Sequence, residues 1–334
     1  MKLHEIGEFG FIERIAARFQ DLSSDGWLGI GDDCAIIPYN GKEDYVITTD
    51  LLIEDIHFLK NRITPQQLGH KALAVSLSDI AAMGAEPLGS FLSLGIPPET
   101  EVEYLDALME GYHMLSRKYQ VLLLGGDTTK SKKVLTINVG VIGKCSKGKA
   151  RLRSMAQCGD SICVTAFLGD SAGGLEVLLN NLPETKDNLQ LILSHHLPEP
   201  HVKEGLWLAD QPEVHAMMDV SDGISSDLVH ILKASGKSAV VDIDRIPATE
   251  TLRKVAGQEG WELDKLITSG GEDYVLLFTM TAGSFKSVHA GFKAAFGREL
   301  FRIGNIIEGE ARINWIKGNK EVTFHQKGYN HFNE

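Results

Sequence analysis

Apolar residues along this chain recur in two rhythms. Between Gln66 and Met83 they fall at helical spacing with no internal proline, which predicts a packed helix. Thr64 is placed to cap that helix, Pro65 suits its first turn, and Gly84 is placed to end it. A second helix is expected over roughly Glu101–Tyr119, leading into Val121–Leu124, a short buried-strand pattern. Alternation over Val134–Gly143 predicts another strand, and further strands are expected near Ser161–Thr165, Ala239–Ile243 and Tyr274–Thr279. Helices are expected at Ala172–Asn180 and Ser225–Ser235. Strands and helices interleave throughout, so the class is α/β or α+β, and local pattern does not choose between them. The basic, glycine-containing stretch Gly143–Arg153 is the clearest shift in composition, and it places a domain boundary near residue 148. The expected domains are therefore 1–148 and 149–334.

Composition narrows the function. With 334 residues, 43% hydrophobic and 23% charged, the chain has the apolar content of a core-forming protein and not of a disordered one. Its 33 Lys and Arg stand against 45 Asp and Glu, a formal net charge of -12. That balance argues against general nucleic-acid binding, which depends on basic residues neutralising phosphates. An acidic chain that handles phosphates needs cations between the two. No apolar run reaches the length of a membrane span, and the N-terminal residues do not read as a signal peptide. Cys34, Cys145, Cys158 and Cys163 are scattered without a CxxC pair, which fits reduced thiols in a cytoplasmic protein.

The chemistry concentrates in aspartates beside Gly, Ser or Thr: Asp32 and Asp33, Asp50 after Thr48 and Thr49, Asp79 after Ser78, Asp127 after Gly125 and Gly126, and Asp219 with Asp222. Asp50 follows Tyr45–Ile47 and Asp127 follows Leu122–Leu124, so both are expected at the C-terminal ends of strands, as is Asp219 after Ala216–Met218. Ligand sites in α/β sheets gather at such ends. Asp222 precedes a helix that Ser225 or Ser226 would cap. Asp79 shares a helix face with Ala72, Val75 and Ala82. A carboxylate on an inward face needs a cation or dense hydrogen bonding, unless it sits at the edge of that face. Turn chemistry accounts for any one of the other motifs. Together they point to a shared divalent-metal site, because Mg²⁺ takes oxygen ligands and bridges carboxylates to phosphates.

The common nucleotide loops are absent. Gly236-Lys237-Ser238 looks like the end of a P-loop, but Ile231 stands where its first glycine belongs. There is no GxGxxG, no protein-kinase motif set, no GxSxG elbow and no HExxH helix. Clustered aspartates also serve two-metal phosphohydrolases, and a non-catalytic phosphate sensor could use the same scaffold.

Read in order, GIGDDCAII (29–37), TTDLLIEDIHF (48–58), GHKALAVSLSDIAAMGA (69–85), GGDTT (125–129), DVSDGISSDL (219–228), SGGEDYVLLFT (269–279) and GYNHF (328–332) resemble the thiamine-monophosphate kinase family. That family belongs to the superfamily of aminoimidazole ribonucleotide synthetase and selenophosphate synthetase. The resemblance spans essentially the whole chain, and Asn330 stands where the family often shows Asp. It implies an α/β (α+β) two-domain fold, with an N-terminal ATP/Mg-binding domain that pairs across a homodimer and a C-terminal α/β domain. It also implies ATP-dependent phosphorylation of thiamine monophosphate to thiamine diphosphate. On the matching positions, Asp33, Thr48, Thr49, Asp50, Asp79, Asp127, Asp219 and Asp222 would hold several Mg²⁺ ions, with Asp50, Asp79 and Asp127 acting in catalysis through them. Gly126, Asp127, Arg153 and Ser221 would contact ATP, and His57, Glu272 and Tyr329 would face the thiamine phosphate. The adenine-facing residue is expected on the helix at 101–119, with Met109 the provisional choice.

Overall fold

A computed structural model describes residues 3–19 and 25–323 of the chain. In order, the elements of the first half are α1 (Leu3–Arg18), β1 (Ala35–Pro38), β2 (Glu43–Ile53), α2 (Pro65–Ala82), β3 (Glu86–Ile96), α3 (Val102–Tyr119), β4 (Leu122–Lys130) and β5 (Thr136–Ser146). The second half continues with β6 (Ser161–Val164), α4 (Asp170–Leu179), α5 (Lys186–His196), α6 (Val202–Ala209), β7 (Val214–Asp219), α7 (Ile224–Ser235) and β8 (Ser238–Asp242). It closes with α8 (Glu250–Glu259), α9 (Leu263–Ser269), β9 (Leu276–Met280), α10 (Phe285–Phe296), β10 (Phe301–Ile307), β11 (Ile313–Lys317) and β12 (Lys320–Val322).

Two sheets carry the architecture. One has the order β1-β2-β5-β3-β4 and the other β12-β11-β8-β10-β6-β9-β7. Within them only β3–β4 and β11–β8 run parallel. Helices and strands interleave along the chain, yet most neighbouring strands are antiparallel, a distinction that residue periodicity does not carry.

The helix α2 organises the first half. The Thr64 hydroxyl accepts the Gln67 N–H while the Gln67 side chain accepts the Thr64 N–H, a complete capping box, and Pro65 opens the helix. Gly84, at φ 64°, turns the chain out at the other end. The helix is buried on nearly every side because β2 and β5 cover one flank while α3, α6 and β7 cover the others. Its approach to α3 is backbone to backbone. A Cβ on Gly69 would fall 1.9 Å from the Leu108 carbonyl oxygen, and one on Gly111 would fall 1.8 Å from that of Gln66. Apolar residues from both halves, among them Leu77, Ile80, Met217 and Phe278, form one continuous core around α2, and a second core fills the C-terminal half.

Several expected boundaries move. β2 runs on past Asp50 to Ile53, paired with β5 down to Thr136, so Asp50 lies within the strand and not at its end. β4 likewise runs through Gly125 and Gly126, whose near-extended φ of 158° and 157° lets the strand continue, so Asp127 is also internal. The expectation of a buried strand at Val121–Leu124 fails for a second reason: β4 is an edge strand, exposed along its whole length. α7 starts from Gly223 without a side-chain cap, and Ser225 instead meets the Ser269 hydroxyl at 3.0 Å. Gly236 is simply the left-handed C-cap of α7.

Candidate active site

β2 alternates, with Asp44, Val46, Thr48 and Leu52 buried and Asp50 half-buried on the same face toward α2. One turn of α2 presents Ser76, Ser78 and Asp79 to that region. Ser76 Oγ donates to Asp50 Oδ2 at 2.6 Å, and the Thr48 hydroxyl donates to Asp79 Oδ2. Ser78 Oγ donates to Asp219 Oδ2 at 2.6 Å, crossing from α2 to the last residue of β7. Asp33, on the turn before β1, completes the group: ligand oxygens of Asp33, Asp79 and Asp219 lie within 4.8 Å of one another. Arg153, on a 3-10 turn after β5, donates to Asp33 Oδ1 at 2.6 Å, and its backbone N–H donates to Asp32 Oδ2 at 3.1 Å.

This crowding shifts the acids. Burial, followed by the charges of Asp50, Asp219 and Asp33, raises the Asp79 carboxyl well above the ordinary range, against the Thr48 hydrogen bond. Burial and then Asp33 push Asp219 up to about 7, opposed by Ser78 and Arg153. Asp32 also rises to about 7 through burial and the charge of Asp33. Asp50 is raised by burial alone, against the Ser76 hydrogen bond. Acids held together in this way are short of positive charge. Asp33 Oδ2 is buried and has no hydrogen-bond partner among the described residues. A carboxylate with an orphaned oxygen, grouped with two more carboxylates, fits a hard divalent cation such as Mg²⁺.

The remaining expected residues are distributed as follows. Thr49 lies on the opposite, open face of β2, where its hydroxyl accepts from Asn138 Nδ2 at 2.9 Å. Asp127 aligns through Ser93 and Asn138 with Leu51, so it too stands on the open face, three strands from β2 and outside the carboxylate group. Its neighbour Gly126 lies against β3, with space for a Cβ closed off 1.7 Å from the Leu92 carbonyl oxygen. Asp222 sits in the loop after β7, its N–H donating to Asp227 Oδ2 at 3.2 Å. The Ser221 carbonyl accepts the Glu272 N–H at 2.7 Å. His57 is on a tight turn after β2, and its Nδ1 accepts the Ile53 N–H at 3.0 Å. Met109 is half-buried on α3, beside a cavity of about 1060 Å³ between that helix and the start of β4. Tyr329 and Asn330 lie outside the described residues.

Glu272 is held by a strained loop. Glu272 and Tyr274 both adopt positive φ, 62° and 51°, conformations that non-glycine residues keep only when their surroundings enforce them. The Tyr274 N–H donates to the Val220 carbonyl at 2.8 Å, while the Asp273 carboxylate accepts the Gly169 and Ser171 N–H groups at 2.6 and 3.2 Å. Asp273 thereby caps the start of α4. Sequence reasoning named Asp32 beside Asp33 without giving it a role, and passed over Asp273, Asp227, Ser76 and Lys71. For Ser76 and Lys71 a signal existed, since both are polar residues inside the small, apolar α2 pattern.

Residues 31–145 match the profile of the AIR synthase related protein N-terminal domain, and residues 157–315 match the C-terminal domain of the same proteins. A thiamine-monophosphate kinase from Salmonella typhimurium is 39% identical over 328 residues, covering 98% of each chain. The chain belongs to the thiamine-monophosphate kinase family. A member from Bacillus subtilis is 33% identical, over 97% of this chain and 99% of its own. A solved structure described as AaThiL complexed with AMPPCP and TMP superposes with a TM-score of 0.85 at 32% identity, covering 99% of both chains. The family's two-domain, mixed α/β fold is thus the fold of this chain.

Proposed function

We propose that this protein transfers the γ-phosphoryl group of ATP to the phosphate of thiamine monophosphate, giving ADP and thiamine diphosphate. The observation that carries the reading is the carboxylate group of Asp33, Asp79 and Asp219, built from both halves of a chain that matches such kinases end to end. Mg²⁺ bound there would neutralise phosphate charge and align donor with acceptor. Asp50, Asp79 and Asp219, pinned by Ser76, Thr48 and Ser78, would be held in fixed orientation as ligands. Thr48 borders the same group through its hydrogen bond to Asp79, and Asp222 enters the proposal on the family resemblance. Thr49 and Asp127, on the open face, enter the proposal on the family resemblance alone. Arg153, which donates to Asp33, would meet a nucleotide phosphate, and Gly126, Asp127 and Ser221 would be further nucleotide contacts on the family resemblance. His57 and Glu272 would face the acceptor.

The acceptor is already an ionised phosphate monoester, so the step needs no strong base. One of its oxygens attacks the γ-phosphorus, the bond to the β,γ-bridging oxygen breaks, and the electron pair leaves with ADP in a direct in-line displacement. We place the division between an N-terminal ATP- and metal-binding domain and a C-terminal domain at residue 148. A homodimer is part of the proposal, supported by the exposed β4 edge and by exposed Leu51 and Phe91 on the open face of its sheet. A cytoplasmic location is also part of it, supported by four unpaired cysteines, three of them buried.

The test is ADP release from Mg-ATP with and without thiamine monophosphate, with thiamine diphosphate followed by chromatography. Matched, acceptor-dependent formation of both products is expected. ADP release without acceptor would instead identify a phosphohydrolase, and a phosphorylated His or Asp turning over as fast as product would overturn direct transfer.

A further inference from the structure

Lys71 is a lysine in the interior of the protein, its side chain 1% exposed, on the helix α2 that both halves share. Its ammonium lies 3.0 Å from Glu272 Oε2 and 3.5 Å from His195 Nε2. His195, on α5, brings Nδ1 to 3.2 Å from the same Glu272 oxygen and 3.0 Å from Ser171 Oγ. An ammonium has only protons to give, so His195 Nε2 is the acceptor and Nδ1 carries the ring proton. The ring is therefore neutral, in keeping with its basicity, which burial and then Lys71 hold well below the usual histidine value. Ser171, His195 and Glu272 do not form a nucleophilic triad, because hydroxyl and carboxylate meet the same ring nitrogen and no base is left facing the serine.

The arrangement instead fixes one carboxylate oxygen. Among the described residues the side-chain contacts of Glu272 fall on Oε2, from α2 in one half and α5 in the other. The loop beneath is locked by positive φ at Glu272 and Tyr274 and by Asp273 on the end of α4. A buried ion pair is a poor fastener for two domains, since well-packed apolar residues would hold them as well at lower desolvation cost. It is a good device for aiming a half-exposed carboxylate.

We propose that Lys71 is a positioning residue that aims the Glu272 carboxylate at the cationic ring system of the acceptor, with His195 as the second anchor on the same oxygen. The inference rests on the reading of Glu272 as an acceptor-facing residue. Lys71→Met, Glu272→Gln and the double variant separate the two, with kcat and KM measured for each substrate in turn. Lys71→Met is expected to raise KM for thiamine monophosphate about tenfold, roughly 1.4 kcal/mol, while KM for ATP stays unchanged. The double variant is expected to be no worse than the weaker of the two singles, because both act through one carboxylate. His195→Phe, which keeps the lysine pair and its charge balance, should shift the same KM by less and serves if Lys71→Met fails to fold. A parallel loss for both substrates, or additive losses in the double variant, would overturn the positioning role. If Glu272→Gln alone leaves the acceptor KM unchanged, the underlying reading of Glu272 fails, and this inference with it.

Discussion

Asp79→Asn tests the metal reading because its effect on stability runs opposite to its effect on activity. In the metal-free protein Asp79 faces carboxylates of Asp33 and Asp219 within 4.8 Å. Each ionised pair at that separation repels by about 3 kcal/mol at an effective dielectric of about 20. The group sheds part of this by taking up protons, as the raised Asp79 and Asp219 carboxyls indicate. A folded chain that binds protons the unfolded chain has released becomes less stable as pH rises. The window runs from the ordinary carboxyl value of 3.8 up through the Asp219 value of about 7. Wild type in chelator should therefore unfold at a lower temperature at about pH 8 than at about pH 5.5. The Asn variant keeps an oxygen for the Thr48 hydroxyl and removes one charge. It should gain about 2 kcal/mol at the higher pH, or roughly 4 °C in midpoint, and little at the lower. Saturating Mg²⁺ reverses the order: at a hundredfold over Kd it adds about 2.7 kcal/mol to wild type, most of which the variant lacks, while turnover falls by orders of magnitude. Thermal unfolding in chelator and in Mg²⁺ at both pH values reads all four conditions. A variant no more stable than wild type in chelator at high pH, or one that turns over normally, refutes the account.

Three further outcomes follow from the geometry. Arg153→Gln removes the guanidinium held 2.6 Å from Asp33; it should cost about 2 kcal/mol in chemical unfolding and raise the Mg²⁺ concentration needed for half-maximal rate. Gly111→Ala drives a methyl group into the Gln66 carbonyl, and spreading α2 from α3 should cost about 3 kcal/mol or prevent folding, as a denaturation midpoint would read. Leu123→Asp alters an exposed residue of β4 and should leave the unfolding midpoint of the protomer intact while sedimentation equilibrium shows a monomer in place of a dimer.

The sequence made some of this legible and hid the rest for physical reasons. α2 was readable from Thr64 to Gly84 because its cap, first turn and terminator are all local signals. The partnership of Asp33, Asp79 and Asp219 was foreshadowed by the motif around each aspartate and by the family resemblance, but no local pattern joins the three, since they approach through packing of separate elements. Asp50 and Asp127 looked like strand-end residues because the apolar run before each is short. Cross-strand pairing, which no local window contains, carried both strands further. The exposed β4 looked buried because four apolar residues in a row read alike whether a protein's own core or another surface covers them. Lys71 interrupts the small, apolar pattern of α2, yet it went unremarked because a lone charge in a helix normally marks a solvated face, and the contact with Glu272 is what explains its burial.

The seam between the halves has a consequence for how such a chain can change. Asp33 and Asp79 come from one half and Asp219 from the other, and the Ser78 to Asp219 hydrogen bond crosses the same line. Neither half carries a complete set of ligands. A chimera joining one half to that of a distant relative can therefore inherit two sound folds and still lack a working centre. Its success would turn on a few junction residues and scarcely on overall similarity, so the two halves must drift in step.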